Sequence, residues 1–144
     1  MSAERLARAA ADAMWAQDKA SRALGMAITE IAPGAATLTM PVSETMVNGH
    51  GLCHGGYIFT LADSTFAFAC NSYNFNTVAQ GGAIDFLAPA REGDVLVATG
   101  RERSLGGRTG VYDIEVRNQR GETIALFRGK SYRIKGHVVP PAVT

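Results

Sequence analysis

The sequence has 144 residues, of which 47% are hydrophobic and 19% are charged, a composition typical of one globular domain with a real core. A formal net charge of +1 gives no electrostatic reason to expect nucleic acid or an anionic membrane as a partner. Charged residues from Glu4 to Asp12 argue against a signal peptide, and no stretch predicts a transmembrane segment, so we expect a cytoplasmic protein. Cys53 and Cys70 are too few for a disulfide framework, and we interpret both as free thiols.

The first predicted element is an amphipathic helix over residues 2–22. Apolar side chains such as Leu6 and Met14 recur at helical spacing, and Asp18 and Arg22 are spaced for an i,i+4 ion pair. Gly25 ends the helix. We interpret this element as a cover packed on a sheet or on a neighbouring subunit.

Hydrophobic alternation predicts six strands in two groups. The first two, 26–32 and 35–42, flank a Pro33-Gly34 turn. Four more follow the middle of the chain, at 77–88, 94–104, 109–118 and 122–134. We expect one domain over residues 1–136 and a flexible tail over 137–144.

Between the two groups lies the stretch HGGYIFTLADSTFAFACN, from His54 to Asn71, which predicts a buried helix. It is apolar nearly all round and too short to cross a bilayer. Its single charge is Asp63. An ionised carboxylate is costly to bury, so Asp63 either has a buried donor, such as its neighbours Ser64 or Thr65 or a loop amide, or meets solvent or a ligand at a seam.

Gly55 and Gly56 stand where this helix begins. Glycine lets backbone amides approach a ligand closely, and the first turn of a helix has unsatisfied N–H groups and a positive dipole end. Such an end can polarise a carbonyl. Together with a carboxylate on the same element, it suggests acyl chemistry.

The order helix, two strands, buried helix, four strands predicts an α+β domain in which an antiparallel sheet wraps around one central helix. A single sheet covers only part of such a helix. Because the helix has no polar face to offer to water, we expect a second copy of the chain to cover the rest.

The tightest group of candidate residues is Asn48, His54, Gly55 and Asp63, with Ser64 beside the acid. Gly55 and Asp63 are eight positions apart, which is about 12 Å of helix rise. Both groups must lie within about 3 Å of one reacting centre to cooperate. One helix cannot supply both, whereas two antiparallel helices at a dimer seam can.

Two other interpretations of this region are weaker. His50, Cys53 and His54 could ligate zinc, but their spacing matches no standard zinc motif. Cys53 and His54 could form a nucleophile and its base, but adjacent residues rarely face each other. We therefore expect no metal.

Basic residues cluster late in the chain, and alternation places Arg128 and Lys130 on one strand face. A solvated outer face explains them most simply. The sharper hypothesis is a phosphate-binding patch, with Arg108 at a glycine turn reaching the same ligand.

Three stretches now indicate a family: NGHGLCHGGYIFTLADSTFAFACNS, AIDFLAPAREGD and TGVYDIEVRNQRGETIALFRGKSYRI. They resemble the hotdog-fold acyl-CoA thioesterases of phenylacetic acid degradation, and the similarity runs from about residue 8 to residue 136. The resemblance implies a hotdog domain with an N-terminal helix, and an obligate homodimer that usually pairs into a tetramer. It also implies hydrolysis of phenylacetyl-CoA or related aryl-acyl thioesters.

The family's functional positions fall on Asp63 for the acid, Gly55 for the helix-start amide, Asn48 ahead of the helix and His54 before the glycine. From these positions we expect the Gly55 amide to bind the thioester carbonyl, and Asp63 of the other subunit to act as base or nucleophile. Asn48 would position the water or the carbonyl, His54 would orient the group, and coenzyme A is part of the substrate rather than a cofactor. Gly56, Ser64, Arg108, Arg128 and Lys130 are the candidate substrate-binding residues. Two alternatives stay open, a hotdog hydroxyacyl-thioester dehydratase and an acyl-CoA binding module without turnover.

Overall fold

A computed structural model describes residues 1–141 of the chain, so the last three residues of the predicted tail lie outside the described part. Three α-helices, a short 3-10 helix (Glu44–Met46) and six strands follow one another along the described residues. The helices are α1 (Ala3–Gln17), α2 (Lys19–Ala23) and α3 (Gly55–Cys70). The strands are β1 (Ala27–Ala32), β2 (Ala35–Pro41), β3 (Phe75–Phe86), β4 (Val95–Gly106), β5 (Thr109–Arg117) and β6 (Thr123–His137).

The six strands form one antiparallel sheet in the order β1-β2-β4-β5-β6-β3. Its inner face wraps around α3, which packs against strands along the whole sheet. The predicted α+β architecture is therefore confirmed: one antiparallel sheet surrounds one central helix.

Alternation along β5 decides which side chains reach the core. Tyr112, Ile114 and Val116 are buried against α3, and the charged residues between them face the opposite side of the sheet. Phe66 of α3 packs on Tyr112, with ring centroids 5.7 Å apart. A Cβ at Gly129 of β6 would lie 2.7 Å from the Phe66 ring, so only glycine lets the strand approach the helix so closely.

The prediction of one continuous helix over residues 2–22 is wrong at Asp18. There α1 ends, and the Asp18 side chain caps α2 by accepting from the Ser21 N–H at 2.9 Å. The expected Asp18–Arg22 ion pair does not form, because Arg22 donates to the Ala16 carbonyl instead. A capping carboxylate satisfies the free amides of a new helix better than an exposed ion pair would.

The start of the predicted tail is held to the domain. Asn74 donates from its side chain to the Val139 carbonyl at 2.9 Å and accepts from the Val139 N–H at 2.8 Å. The Val138 N–H also donates to the Asn74 carbonyl. These bonds attach the chain to the domain as far as Val139, and the prediction for residues 142–144 lies outside the described part.

Candidate active site at the central helix

Asp63 lies in the middle of α3, on the part of the helix that the sheet leaves uncovered. The residue is exposed, while Ala62 and Ser64 on either side are buried. Within residues 1–141 its carboxylate has no hydrogen bond or ion pair. The neighbours proposed as structural partners bond elsewhere, Ser64 with Ser21 and Thr65 with the Leu61 carbonyl. The geometry thus favours a carboxylate that faces solvent or a ligand.

The environment of Asp63 makes its carboxylate more basic. Although Asp63 reaches solvent, the surrounding protein removes part of the water from its carboxylate and so raises its pKa above the ordinary value, and the negative charge of Asp18 raises it further. An unpaired carboxylate with a raised pKa accepts a proton or attacks an electrophile more readily than an ordinary surface carboxylate.

Gly55 and Gly56 form the first turn of α3, as the sequence predicts. In the described part of the chain, neither backbone N–H has an acceptor. His54 precedes them in an extended conformation and makes no capping bond with its exposed side chain. The helix therefore presents two free N–H donors at its positive dipole end.

Asn48 organises the loop in front of this helix end. Its side-chain oxygen accepts from the His50 N–H at 2.9 Å and from the Leu52 N–H at 3.1 Å. Since two N–H donors face that oxygen, the side-chain NH2 is the group left to bind something else. Asn48 is thus suited to donate to a carbonyl rather than to accept from water.

Phe86 is a site residue that the sequence reasoning missed. Its ring lies against Gly55, and a Cβ placed on that glycine would be 2.8 Å from the ring. The side chain is 52% exposed, so it forms an open apolar wall beside the free amides. The sequence placed Phe86 on a strand near its end, but nothing in the pattern indicated which element it would touch.

The basic residues proposed to bind phosphate lie away from this helix. Arg128 and Lys130 are on the outer face of β6, and the sheet separates them from α3 of the same chain. Arg128 makes a bidentate pair with Asp113, at 2.6 and 2.8 Å. Arg108 donates to the Arg133 carbonyl. These residues can meet a ligand at α3 only through another subunit or around a sheet edge.

Two absences apply to residues 1–141. No helix there is long and apolar enough to span a membrane. No three His, Cys, Asp or Glu side chains lie close enough together to hold a metal ion. Cys53 and Cys70 are both free and buried.

An antiparallel sheet around one apolar helix is the architecture of the hotdog fold that the resemblance implied. Residues 50–125 match the thioesterase superfamily. The chain belongs to this superfamily, which confirms the resemblance found in the sequence.

Individual relatives agree with this assignment. The chain is 50% identical over 132 residues to the acyl-coenzyme A thioesterase PaaI of Escherichia coli K12, covering 92% of this chain and 94% of that protein. The structure of E. coli PaaI, described as a protein from the phenylacetic acid degradation operon, superposes with a TM-score of 0.93 at 49% identity, covering 94% of this chain and 99% of that one. A hypothetical thioesterase from Streptococcus pneumoniae TIGR4, solved with coenzyme A, has a TM-score of 0.75 at 26% identity, covering 78% and 88% of the two chains.

Proposed function

We propose that this protein hydrolyses acyl-CoA thioesters, with phenylacetyl or ring-hydroxylated aryl-acetyl groups as the acyl part, to the free acid and coenzyme A. The observation that carries the proposal is the unpaired Asp63 carboxylate on a helix whose first two amides are free. The similarity to E. coli PaaI, an acyl-coenzyme A thioesterase from the phenylacetic acid degradation operon, supports the substrate class, and the S. pneumoniae structure supports coenzyme A as the thiol part.

The catalytic site is shared between two subunits of a homodimer. Gly55 and Asp63 lie on one helix, about 12 Å apart along its axis, so one chain cannot bring both to one thioester. The β3 strand, at one of the two edges of the sheet, is exposed along most of its length and carries the exposed apolar residues Phe75 and Val78. Pairing two such edges would satisfy their backbone groups and bring two α3 helices side by side.

In this dimer the Gly55 N–H donates to the thioester carbonyl oxygen, and the helix dipole stabilises the negative charge that develops there. Asp63 of the other subunit takes a proton from water, which attacks the carbonyl carbon, or attacks that carbon itself to form an anhydride that water then hydrolyses. In both routes the C–S bond breaks and coenzyme A leaves as the thiol. The Asn48 side-chain NH2 supplies a further donor to the acyl carbonyl.

The remaining residues have supporting roles. Gly56 adds a second free amide, and His54 orients the group that enters the site. Ser64 acts from within the protein, because its hydroxyl is bonded to Ser21 rather than directed at a ligand. We further propose that no metal takes part, that dimers pair into tetramers, and that the protein works in the cytoplasm, where its two thiols stay reduced.

A panel of acyl-CoAs tests the proposal, with free thiol and acyl-chain absorbance followed together. We expect thiol release, fastest with aryl-acetyl groups and far slower in Asp63→Asn. A change in hydration without thiol release would identify a dehydratase. Saturable binding with neither signal would identify a binding module, and either result would overturn the hydrolase.

A further inference from the structure

A chain of buried hydroxyl groups connects the break between the first two helices to the middle of α3. The Ser21 hydroxyl donates to the Asp18 carboxylate at 2.6 Å, and the Ser21 and Ser64 hydroxyl oxygens are 2.7 Å apart. Ser21 is 2% exposed and Ser64 is 9% exposed, so water does not compete for the bond between the two hydroxyls, whereas the Asp18 carboxylate at the end is half-buried. The chain ends one residue from Asp63.

The direction of the hydrogen bonds follows from the donors available. A carboxylate only accepts, so the single Ser21 proton points at Asp18. The proton between the two hydroxyls must then come from Ser64. The hydrogen bonds from Ser64 to Ser21 and from Ser21 to Asp18 therefore all point toward one negative charge.

Asp18 is held in place from two further directions. It accepts from the Ser21 N–H as the cap of α2, and its own N–H donates to the Trp15 carbonyl. The break between α1 and α2 is thus what turns its carboxylate toward α3. An uninterrupted helix would have paired Asp18 with Arg22 on the surface.

We propose that Asp18 is a positioning residue for Asp63, acting through the Ser21–Ser64 hydroxyl chain that ties its carboxylate to the middle of α3. The hydroxyl chain holds the helix turn that carries Asp63. It also keeps the negative charge of Asp18 near the catalytic carboxylate. That charge disfavours ionisation of Asp63 and so makes it a stronger base. This inference rests on the proposed role of Asp63 in thioester hydrolysis.

The charged groups on α2 and α3 are compatible with this assignment. On α2, Lys19 and Arg22 are exposed, and Arg22 is bonded to the Ala16 carbonyl. On α3 itself, burial is the main cause that raises the pKa of Cys70 to about 12, so its thiol is neutral. Asp18 is the charge that acts on Asp63 in residues 1–141.

The strands around α3 add no competing charge at Asp63. β2 and β5 face the helix with apolar side chains, and β1 carries Glu30 at an exposed position. On β4, Glu102 accepts from the hydroxyls of Tyr73 and Tyr112. On β6, Arg133 stacks over the rings of Tyr73 and Phe75, and Asp85 of β3 lines the cavity on the outer face.

The test compares the pH dependence of kcat/KM in the full-length enzyme and its Asp18→Asn variant. Asparagine is also a good helix cap, so the fold of α2 should survive while the charge is lost. We expect the acidic limb of the profile to move to lower pH, because removing a like charge lowers the pKa of Asp63. Asp12→Asn, on the exposed face of α1, makes the same change in net charge and should leave the profile in place.

Ser64→Ala provides the second measurement, because it removes the link and leaves both carboxylates. Because the Asp18 charge is retained, we expect its acidic limb to stay in place, with a several-fold loss in kcat and little change in KM from the lost link. An unchanged limb in Asp18→Asn, or a wild-type kcat in Ser64→Ala, would overturn the positioning role. Asp63→Asn separates this failure from the larger one: if that variant keeps wild-type thioesterase activity, the proposed function itself fails.

Discussion

The ring of Phe86 lies so close to Gly55 that a single added methyl group at the glycine would be 2.8 Å from the ring carbon Cζ. The end of β3 and the start of α3, 31 positions apart in the sequence, therefore meet at the amide that we assign to the thioester carbonyl. A side chain at position 55 would require the exposed Phe86 ring to move, which is a steric effect separate from the role of the Gly55 N–H. The contact between Gly55 and Phe86 can be tested with single and double substitutions.

Gly55→Ala should lower kcat/KM because the new Cβ pushes the Phe86 ring out of place while the N–H is retained. Phe86→Ala opens that space, so the double variant should lose less than the two single changes predict. Urea unfolding and kcat/KM of the four proteins give the coupling, which we expect at about 0.5–3 kcal/mol for residues in contact. Strictly additive effects would show that the ring and the glycine act independently.

Asp63→Asn should lower kcat by a factor of about a hundred or more, the usual cost of losing a catalytic base or nucleophile. The protein should fold, and its Tm at pH 7 should hold or rise. The reason is that a carboxylate whose folded pKa is raised destabilises the folded state when ionised, and this cost disappears in the amide. Steady-state thiol release and thermal unfolding measure both effects. Activity within a few-fold of wild type would exclude Asp63 as the catalytic base or nucleophile.

The shared site can be tested with two inactive parents, Asp63→Asn and Gly55→Pro. Proline removes the N–H and is tolerated at the first helical position, and His54 already has the extended conformation that precedes proline. Adding Phe86→Ala to the proline chain relieves the ring contact. Co-expression with different tags then yields a mixed dimer with one doubly damaged site and one intact site.

About half of the wild-type activity per dimer should return in this mixed dimer. If Gly55 and Asp63 of the same chain formed each site, every site would carry a lesion. A well-folded mixed dimer without activity would therefore refute the shared site. Phe86→Ala paired with Asp63→Asn serves as the control for the ring change.

Lys130→Gln should raise KM for an acyl-CoA far more than it lowers kcat, if this lysine of another subunit binds the phosphates of coenzyme A. A contact of this kind binds substrate and transition state alike, so kcat is nearly unaffected. The effect should vanish with a truncated thioester that lacks the nucleotide. Lys135→Gln removes the same charge from the same strand and controls for net charge. An equal rise in KM for both substrates would show that Lys130 is only a solvated residue of the outer sheet face.

The surroundings of the Asp94 carboxyl group predict how the free energy of unfolding depends on pH. Hydrogen bonds from the Gln119 side chain and the Arg91 N–H lower the pKa of this buried carboxyl, and Arg120 contributes further. Because the folded pKa lies below the unfolded value of 3.8, the carboxylate stabilises the fold above that value. This contribution is lost as the pH falls through the folded pKa.

Asp94→Asn should therefore be less stable than wild type at pH 7, and the difference should shrink as the pH falls below about 4. Urea unfolding at several pH values measures this, with Asp12→Asn as an exposed control. A difference that is constant with pH would mean that Asp94 stabilises through its shape rather than its charge.

Much of the architecture could be predicted from local pattern. Strands 109–118 and 122–134 were expected from period-two alternation, and they appear as β5 and β6. The central helix was expected because its apolar residues leave no polar face, and it runs from Gly55 to Cys70. Asp63 stood out for the same reason, since a lone charge in such a helix demands an explanation.

The sequence pattern did not predict features that depend on contacts between residues distant in the chain. The helix over residues 2–22 showed no break at Asp18, because helical spacing on either side continues through it. The break depends on a capping bond to Ser21, and what it achieves depends on Ser64, 43 residues further along the chain. Arg128 likewise read as a free cation until the register of β5 and β6 placed it opposite Asp113.

The sequence by itself determined the elements, their periodicity and the chemistry available on the central helix, because these depend on neighbouring residues and on the cost of burying a charge. Only the tertiary structure decided which side chains surround that chemistry. Phe86 against Gly55, and the hydroxyl chain from Asp18 to Ser64, are set by how the sheet and the short second helix close over α3. Such contacts join residues far apart in the chain, so no local pattern records them.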